Sequence, residues 1–121
     1  TFNAEPILYP DVAIEVAEAI KAGRFERGVL VCGTGIGVAI SANKVPGIRA
    51  AQAHDTYSAG KARTSNDAHI VTIGARVVGP ELAKDIVSTF LSRSFPGGAS
   101  AQKVERIAAY EAKRAGDTQA E

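Results

Sequence analysis

The run Gly28-Val29-Leu30-Val31-Cys32 is apolar at every position after its glycine, and Gly33-Thr34-Gly35-Ile36-Gly37 follows without a break. A short β-branched segment that is apolar toward both faces suits a strand covered by helices on either side, as in parallel sheets. A strand that feeds a glycine-rich loop and then a helix is the core of a β–α unit, so this stretch alone points to an α/β architecture. The segment reads as a central strand, with a neighbour on each side.

The rest of the chain supplies matching pieces. Asp11 is expected to cap a helix in which Val12, Val16 and Ile20 recur every four positions and which Gly23 ends. After the glycine loop a helix runs to about Asn43, Pro46-Gly47 turns the chain, and Ile48 to Ala53 forms a second strand. His54-Asp55-Thr56 opens a helix to about Ser65, and His69 to Ile73 is a third strand. Gly79-Pro80-Glu81 starts a helix with proline in its first turn, facing inward through Ala83, Ile86, Val87 and Phe90. Phe95-Pro96-Gly97-Gly98 interrupts the chain. A last helix, about 100–114, carries only a thin stripe of Val104, Ile107 and Ala108, which a partner subunit is expected to bury.

This alternation predicts one α/β domain over 1–121 with a parallel sheet. Three strands make a thin sheet, so a further strand, with a strand-helix-strand unit, is expected before Thr1. The 14 basic and 13 acidic residues leave a formal net charge of +1 and do not cluster. A nucleic-acid surface would need a basic stripe that displaces counterions, and none is present. No apolar run reaches the roughly 18 residues of a membrane span. Cys32 is the single cysteine, which excludes an internal disulfide and suits a reducing, cytoplasmic compartment.

The chemistry concentrates at Cys32-Gly33-Thr34-Gly35-Ile36-Gly37. Ligands of open α/β sheets bind at the carboxyl ends of strands. Glycines there let the backbone turn tightly and present N–H groups to an anion, beside the start of the following helix. A thiol at that tip should titrate below its free value of about 8.5. Moving a carbonyl between adjacent carbons needs a base for the neighbouring C–H and donors for the enediolate oxygen, and a thiolate beside convergent amides meets both needs.

Two plainer readings stand beside this one. A cysteine at a strand end is often a small buried hydrophobe. A glycine-rich strand-to-helix loop is often a nucleotide site, with Asp55 at the end of the next strand as a ribose-binding acid. The dinucleotide pattern, however, wants a third Gly or Ala where this chain has Val38 or Ile40, and no Gly-Lys-Ser/Thr phosphate loop is present. No spacing of His, Cys and carboxylates suggests a metal site. Asp55 and Asp67 read as capping or loop-binding groups, and His69 reads as structural.

Several motifs together resemble one family. Cys32 to Gly37, Ser41-Ala42-Asn43-Lys44-Val45-Pro46-Gly47-Ile48-Arg49-Ala50-Ala51, Ser65-Asn66-Asp67-Ala68 and Gly74-Ala75-Arg76-Val77-Val78-Gly79 are similar to the ribose-5-phosphate isomerase B and galactose-6-phosphate isomerase family. The resemblance runs from about Tyr9 to Ile107. It implies a Rossmann-like three-layer sandwich, a homodimer that sometimes pairs into tetramers, active sites shared between subunits, and an enediol mechanism without cofactor. By this resemblance Cys32 is the base, Thr34 a hydroxyl beside the reacting oxygens, and the Gly33, Gly35, Ile36 and Gly37 backbone the enediolate cradle. Asn66 helps hold the developing charge, Arg76 lies near the phosphate, and the C-terminal helix reaches the partner's site.

Three departures bear on substrate. The family's opening strand, which ends in an Asp-His/x-Ala-Gly type motif, has no counterpart here. Ser65 stands where pentose- and hexose-phosphate members usually carry a ring-opening histidine. Ala99 and Lys103 replace two arginines, so phosphate binding would rest on Lys103, Arg76 and Arg106, without the bidentate fork of arginine at position 103. A tetrose 4-phosphate has its O4 blocked and cannot close a furanose ring, so it needs no ring-opening group. The expected substrate is therefore a tetrulose/tetrose 4-phosphate, and Ala53-His54-Asp55-Thr56-Tyr57-Ser58 with Ser65-Asn66 looks closest to that branch. His54 either takes over ring opening on a pentose phosphate or is simply solvated. Tyr57 either lines the pocket or packs in the core or an interface. A ribose 5-phosphate isomerase, a non-catalytic partner subunit and a nucleotide-binding module are the alternative functions.

Overall fold

A computed structural model describes residues 7–120. In chain order the elements are α1 (Tyr9–Lys21), β1 (Gly28–Cys32), α2 (Ile36–Ala42), β2 (Ala50–Gln52), α3 (Thr56–Thr64), β3 (Ile70–Gly74), α4 (Pro80–Ser92) and α5 (Ala99–Ala120). All strands pair in parallel, in the order β1-β3-β2. The architecture is the expected Rossmann-like α/β arrangement, and the strand-helix-strand unit anticipated before Thr1 lies outside the described residues.

Among the described residues β3 is the central strand and β1 lies at the edge; the second neighbour expected for β1 belongs to the unit anticipated before Thr1. All five residues of β3 are buried, whereas β1 pairs on one side only and leaves Val31 57% exposed. Both runs are apolar and β-branched, so only long-range packing distinguishes centre from edge. Side chains alternate across β3 as a pleated strand requires. Ile70 joins a cluster with Ala13, Ala17 and Ile20 of α1, Leu30 of β1, and Val38 and Ala42 of α2. Val71 and Ile73 enter a second cluster with Ala59 and Ala62 of α3 and Ile86 and Phe90 of α4. The sheet is thus sandwiched between α1/α2 and α3/α4.

Element ends shift for local reasons. Asp11 does not cap α1: Leu8 occupies the N-cap, Tyr9 starts the helix, and Pro10 and Asp11 sit within its first turn, where proline and an acid both suit the exposed N–H groups. Helix α2 begins at Ile36, inside the glycine loop, because Gly35 takes a left-handed φ of 75° at its N-cap. Strand β2 is only three residues long. Asn43, at the end of α2, secures it by donating to Ala50 O (2.9 Å) and accepting from Ala50 N (2.8 Å). Arg27 donates to Leu91 O at 2.7 Å and Phe90 O at 3.3 Å, placing a cation on the last carbonyls of α4 just before β1 begins.

Helix α5 runs beyond the expected 100–114 and stands apart from the core. Glu111 Oε1 accepts from Gly47 N at 2.6 Å, while Ile107 and Tyr110 are 53% and 64% exposed. None of the helices among the described residues is long and apolar enough to cross a membrane.

Candidate active site

The glycine loop leaves β1 at Cys32 and crosses the carboxyl end of β3 toward β2. This path needs close approach of main chain to main chain. A Cβ on Gly74 would lie 2.7 Å from the Thr34 carbonyl carbon, and one on Gly35 would lie 2.9 Å from the Ile73 carbonyl carbon. Glycine at both positions removes that conflict.

Four consecutive carbonyls of the loop are held from the sheet side. Cys32 O accepts from Ala75 N (2.8 Å) and Gly33 O from Arg76 N (3.0 Å). Thr34 O accepts from Gln52 Nε2 (2.8 Å), and Gly35 O from the buried Thr72 hydroxyl (2.7 Å). A trans peptide points its N–H opposite to its C=O, so these anchors turn the loop's amides away from the sheet. Gly35 N donates to Cys32 Sγ at 3.2 Å, and Ile36 N donates to the Thr34 hydroxyl at 3.3 Å.

Cys32 is half-buried. Desolvation resists its ionisation, but hydrogen bonds from the Thr34, Gly35 and Val38 amides and from the Thr34 hydroxyl outweigh it and hold the thiol below its ordinary value. The sulfur packs partly against the α1/α2 cluster while remaining at the strand tip among donors. A thiolate so placed can act as a base beside groups able to hold an oxyanion.

Arg76 lies over this loop. Its Cδ and Nε would stand 3.6 Å from a Cβ on Gly33, and the residue is exposed. His54, at the tip of β2, is not merely solvated: its Nε2 accepts from Gly74 N at 2.9 Å. That bond requires an unprotonated Nε2, which leaves Nδ1 as the remaining ring nitrogen. Tyr57 is 74% exposed on the first turn of α3, with the Lys61 ammonium 5.7 Å from its ring, so it does not pack in the core.

Asn66 and Ser65 fall elsewhere. They follow α3 and precede β3, at the amino end of the sheet, whereas Cys32 pairs with Gly74 at its carboxyl end. A five-residue strand separates the two ends by about 13 Å. Asn66 is held there by Arg49, whose Nε donates to its carbonyl at 3.1 Å. Arg49 and Arg63 both engage Asp67, at 3.3 and 3.0 Å, and Asp67 adopts a left-handed φ of 48°. Asp55 caps α3 by accepting from Ser58 N and its hydroxyl. Both acids therefore serve the loops, as expected. Lys103 shares a groove on α5 with Gln102, Arg106 and Ile107.

Three residues at the loop escaped the sequence reading. Gln52 and Thr72 are polar residues in otherwise apolar strands, which is a weak signal in hindsight. Tyr9 had none: its ring covers Gly37 so closely that a Cβ there would collide with it.

A Rossmann-like parallel sheet carries at its carboxyl end a thiol cradled by amides, on a loop that departs from both nucleotide patterns, an arrangement that suits an α/β enzyme acting on a small anionic substrate. The chain belongs to the Ribose/Galactose Isomerase family, whose sequence profile matches residues 1–107. It is 62% identical over 109 residues to a D-erythrulose-4-phosphate isomerase of Pectobacterium atrosepticum, covering 90% of this chain and 72% of that one. It is 55% identical over 105 residues to a ribose-5-P isomerase B of Listeria innocua, covering 87% and 71%. The solved ribose-5-phosphate isomerase B of Clostridium thermocellum superposes with a TM-score of 0.89 at 49% identity, over 94% of this chain and 77% of that one. The enzyme class anticipated from the loop is thus the class of its relatives, sugar-phosphate isomerases.

Proposed function

We propose that this chain interconverts the ketose and aldose forms of a tetrulose/tetrose 4-phosphate, with Cys32 as the base. The observation that carries the reading is the Cys32 sulfur accepting the Gly35 N–H at 3.2 Å, at a strand tip where four carbonyls are tied back and their amides face outward. The Cys32 thiolate removes the proton from the carbon beside the carbonyl. The electron pair moves into the C–C bond, and the carbonyl oxygen becomes the enediolate oxygen held by the loop amides and the Thr34 hydroxyl. Cys32 then returns its proton to the adjacent carbon while the hydroxyl proton crosses between the two oxygens. In this reading Arg76, whose side chain lies over Gly33, takes the phosphate.

The tetrose preference is supported by Ser65 in place of a ring-opening histidine, by the Gly74–His54 bond that occupies one ring nitrogen, and by the erythrulose-phosphate relative. The distance of Ser65 and Asn66 from Cys32 supports a site completed by a second copy of the chain. The exposed Ile107 and Tyr110 of α5 supply an apolar face for that copy, with Lys103 and Arg106 beside it. In this reading 1–121 acts as one domain in a homodimer, without a cofactor, in the cytoplasm. The test compares kcat/KM on D-erythrulose 4-phosphate and ribulose 5-phosphate. Preference for the tetrulose is the expected result, and preference for the pentulose overturns the substrate assignment.

A further inference from the structure

The four tied-back carbonyls differ in who ties them. Cys32 O and Gly33 O are held by the backbone amides of Ala75 and Arg76, which other side chains at those positions would still provide. Gly35 O is held by Thr72, fully buried in the central strand. Thr34 O is held by Gln52, an exposed side chain at the end of the edge strand β2. Gln52 reaches across the tip of β3 to a peptide that belongs to the far side of the sheet.

We propose that Gln52 is a positioning residue for Cys32: it grips the Thr34–Gly35 peptide by its carbonyl so that the N–H of the same peptide stays on the Cys32 sulfur. Planarity does the coupling. The Thr34 carbonyl and the Gly35 N–H lie on opposite edges of one rigid unit, so a donor on the oxygen at 2.8 Å sets the direction of the N–H that meets Sγ at 3.2 Å. The grip is needed because the flanking residues are soft: Gly33 and Gly35 both lack a Cβ, and Gly35 already sits at positive φ. A hydrogen bond on the carbonyl also polarises the amide and makes its N–H a better donor to a thiolate. The carboxamide supplies an N–H donor without adding charge, so the sulfur is stabilised without a cation that would compete with Arg76 for the phosphate.

The role rests on Cys32 being the base, but it is read without turnover, so the two readings can fail separately. Gln52→Met keeps length and removes the donor at an exposed position. The pH dependence of Cys32 alkylation by iodoacetamide is measured for both proteins, with melting temperature as the check on folding. The expected result is a midpoint moved up toward an ordinary thiol and severalfold slower labelling at neutral pH. A folded variant with an unchanged alkylation midpoint overturns the proposal. A second measurement needs no variant: in the unaltered protein the Gln52 side-chain amide protons should exchange more slowly with solvent than those of the exposed Gln102, and equal exchange also overturns it.

Discussion

Gly74 passes beneath Thr34 so closely that a methyl group on it would stand 2.7 Å from the Thr34 carbonyl carbon and 2.8 Å from its Cα. The contact is backbone on backbone, so no side-chain rotation relieves it. Gly74→Ala must lift the loop or bend β3, at a cost of about 1–3 kcal/mol. The expected outcome is a lower melting temperature together with a loss of kcat and slower Cys32 labelling. Gly79→Ala is the control, because nothing lies within 4 Å of a Cβ there and its φ is −79°. A Gly74→Ala protein with unchanged turnover would show that the loop tolerates displacement.

With Cys32 as the proposed base, its ionisation sets the pH dependence. Its thiol is held low by the Thr34, Gly35 and Val38 amides against the opposing effect of desolvation. In the proposed mechanism the active form is the thiolate, so kcat/KM should rise with pH through a midpoint below that of an ordinary thiol and then level off. The alkylation profile should share that midpoint. Cys32→Ala should lower kcat by about 10²- to 10⁴-fold, the usual contribution of a positioned general base. Two profiles with separate midpoints would assign the limiting ionisation to another group.

The α/β class, the parallel pairing and the glycine loop at the strand tip were legible in the sequence because each depends on local pattern. The β1 run followed by three glycines could hardly be anything but a strand-loop-helix tip, and Asp55 as the cap of α3 needs only its neighbours. What was not legible depends on partners distant in sequence. The centrality of β3 is decided by burial against four helices. The ligation of Thr34 O by Gln52 and of Gly74 N by His54 is decided by which strands lie side by side. The separation of Asn66 from Cys32 follows from the direction of β3, which motif spacing does not convey.

His69 predicts an acid-side loss of stability. Its Nδ1 accepts from Arg49 N at 3.0 Å, which requires an unprotonated nitrogen. Burial first, and then the nearby Arg49 and Arg63, push its pKa below 6.5, with Asp67 opposing. The folded state therefore stays neutral at a pH where the unfolded chain takes up a proton. Stability from this group is complete above about 6.5 and is lost as pH falls from there toward the lower folded value. His69→Asn keeps an acceptor and cannot titrate. Thermal melts at pH 7 and pH 5.5 should show a smaller acid-side decrease in the variant than in the native protein.

The position of Asn66 yields the sharpest test of a shared site. If each active centre takes Cys32 from one subunit and Asn66 from the other, then Cys32→Ala and Asn66→Ala proteins are each inactive for opposite reasons. A mixed dimer carries both lesions in one site and neither in the other. Unfolding the two variants together and refolding them at equal amounts makes mixed dimers half of the population, which returns about a quarter of wild-type activity for a two-fold symmetric assembly. The doubly substituted chain refolded with the wild type separates the alternatives further, because its mixed dimer has one lesion in each site and gains nothing. If Cys32 and Asn66 instead served the same subunit's site, the first mixture would stay inactive and the second would retain half its activity. Ile107→Asp on α5 should abolish the gain in the first mixture by preventing association, with a shift to monomer visible by sedimentation.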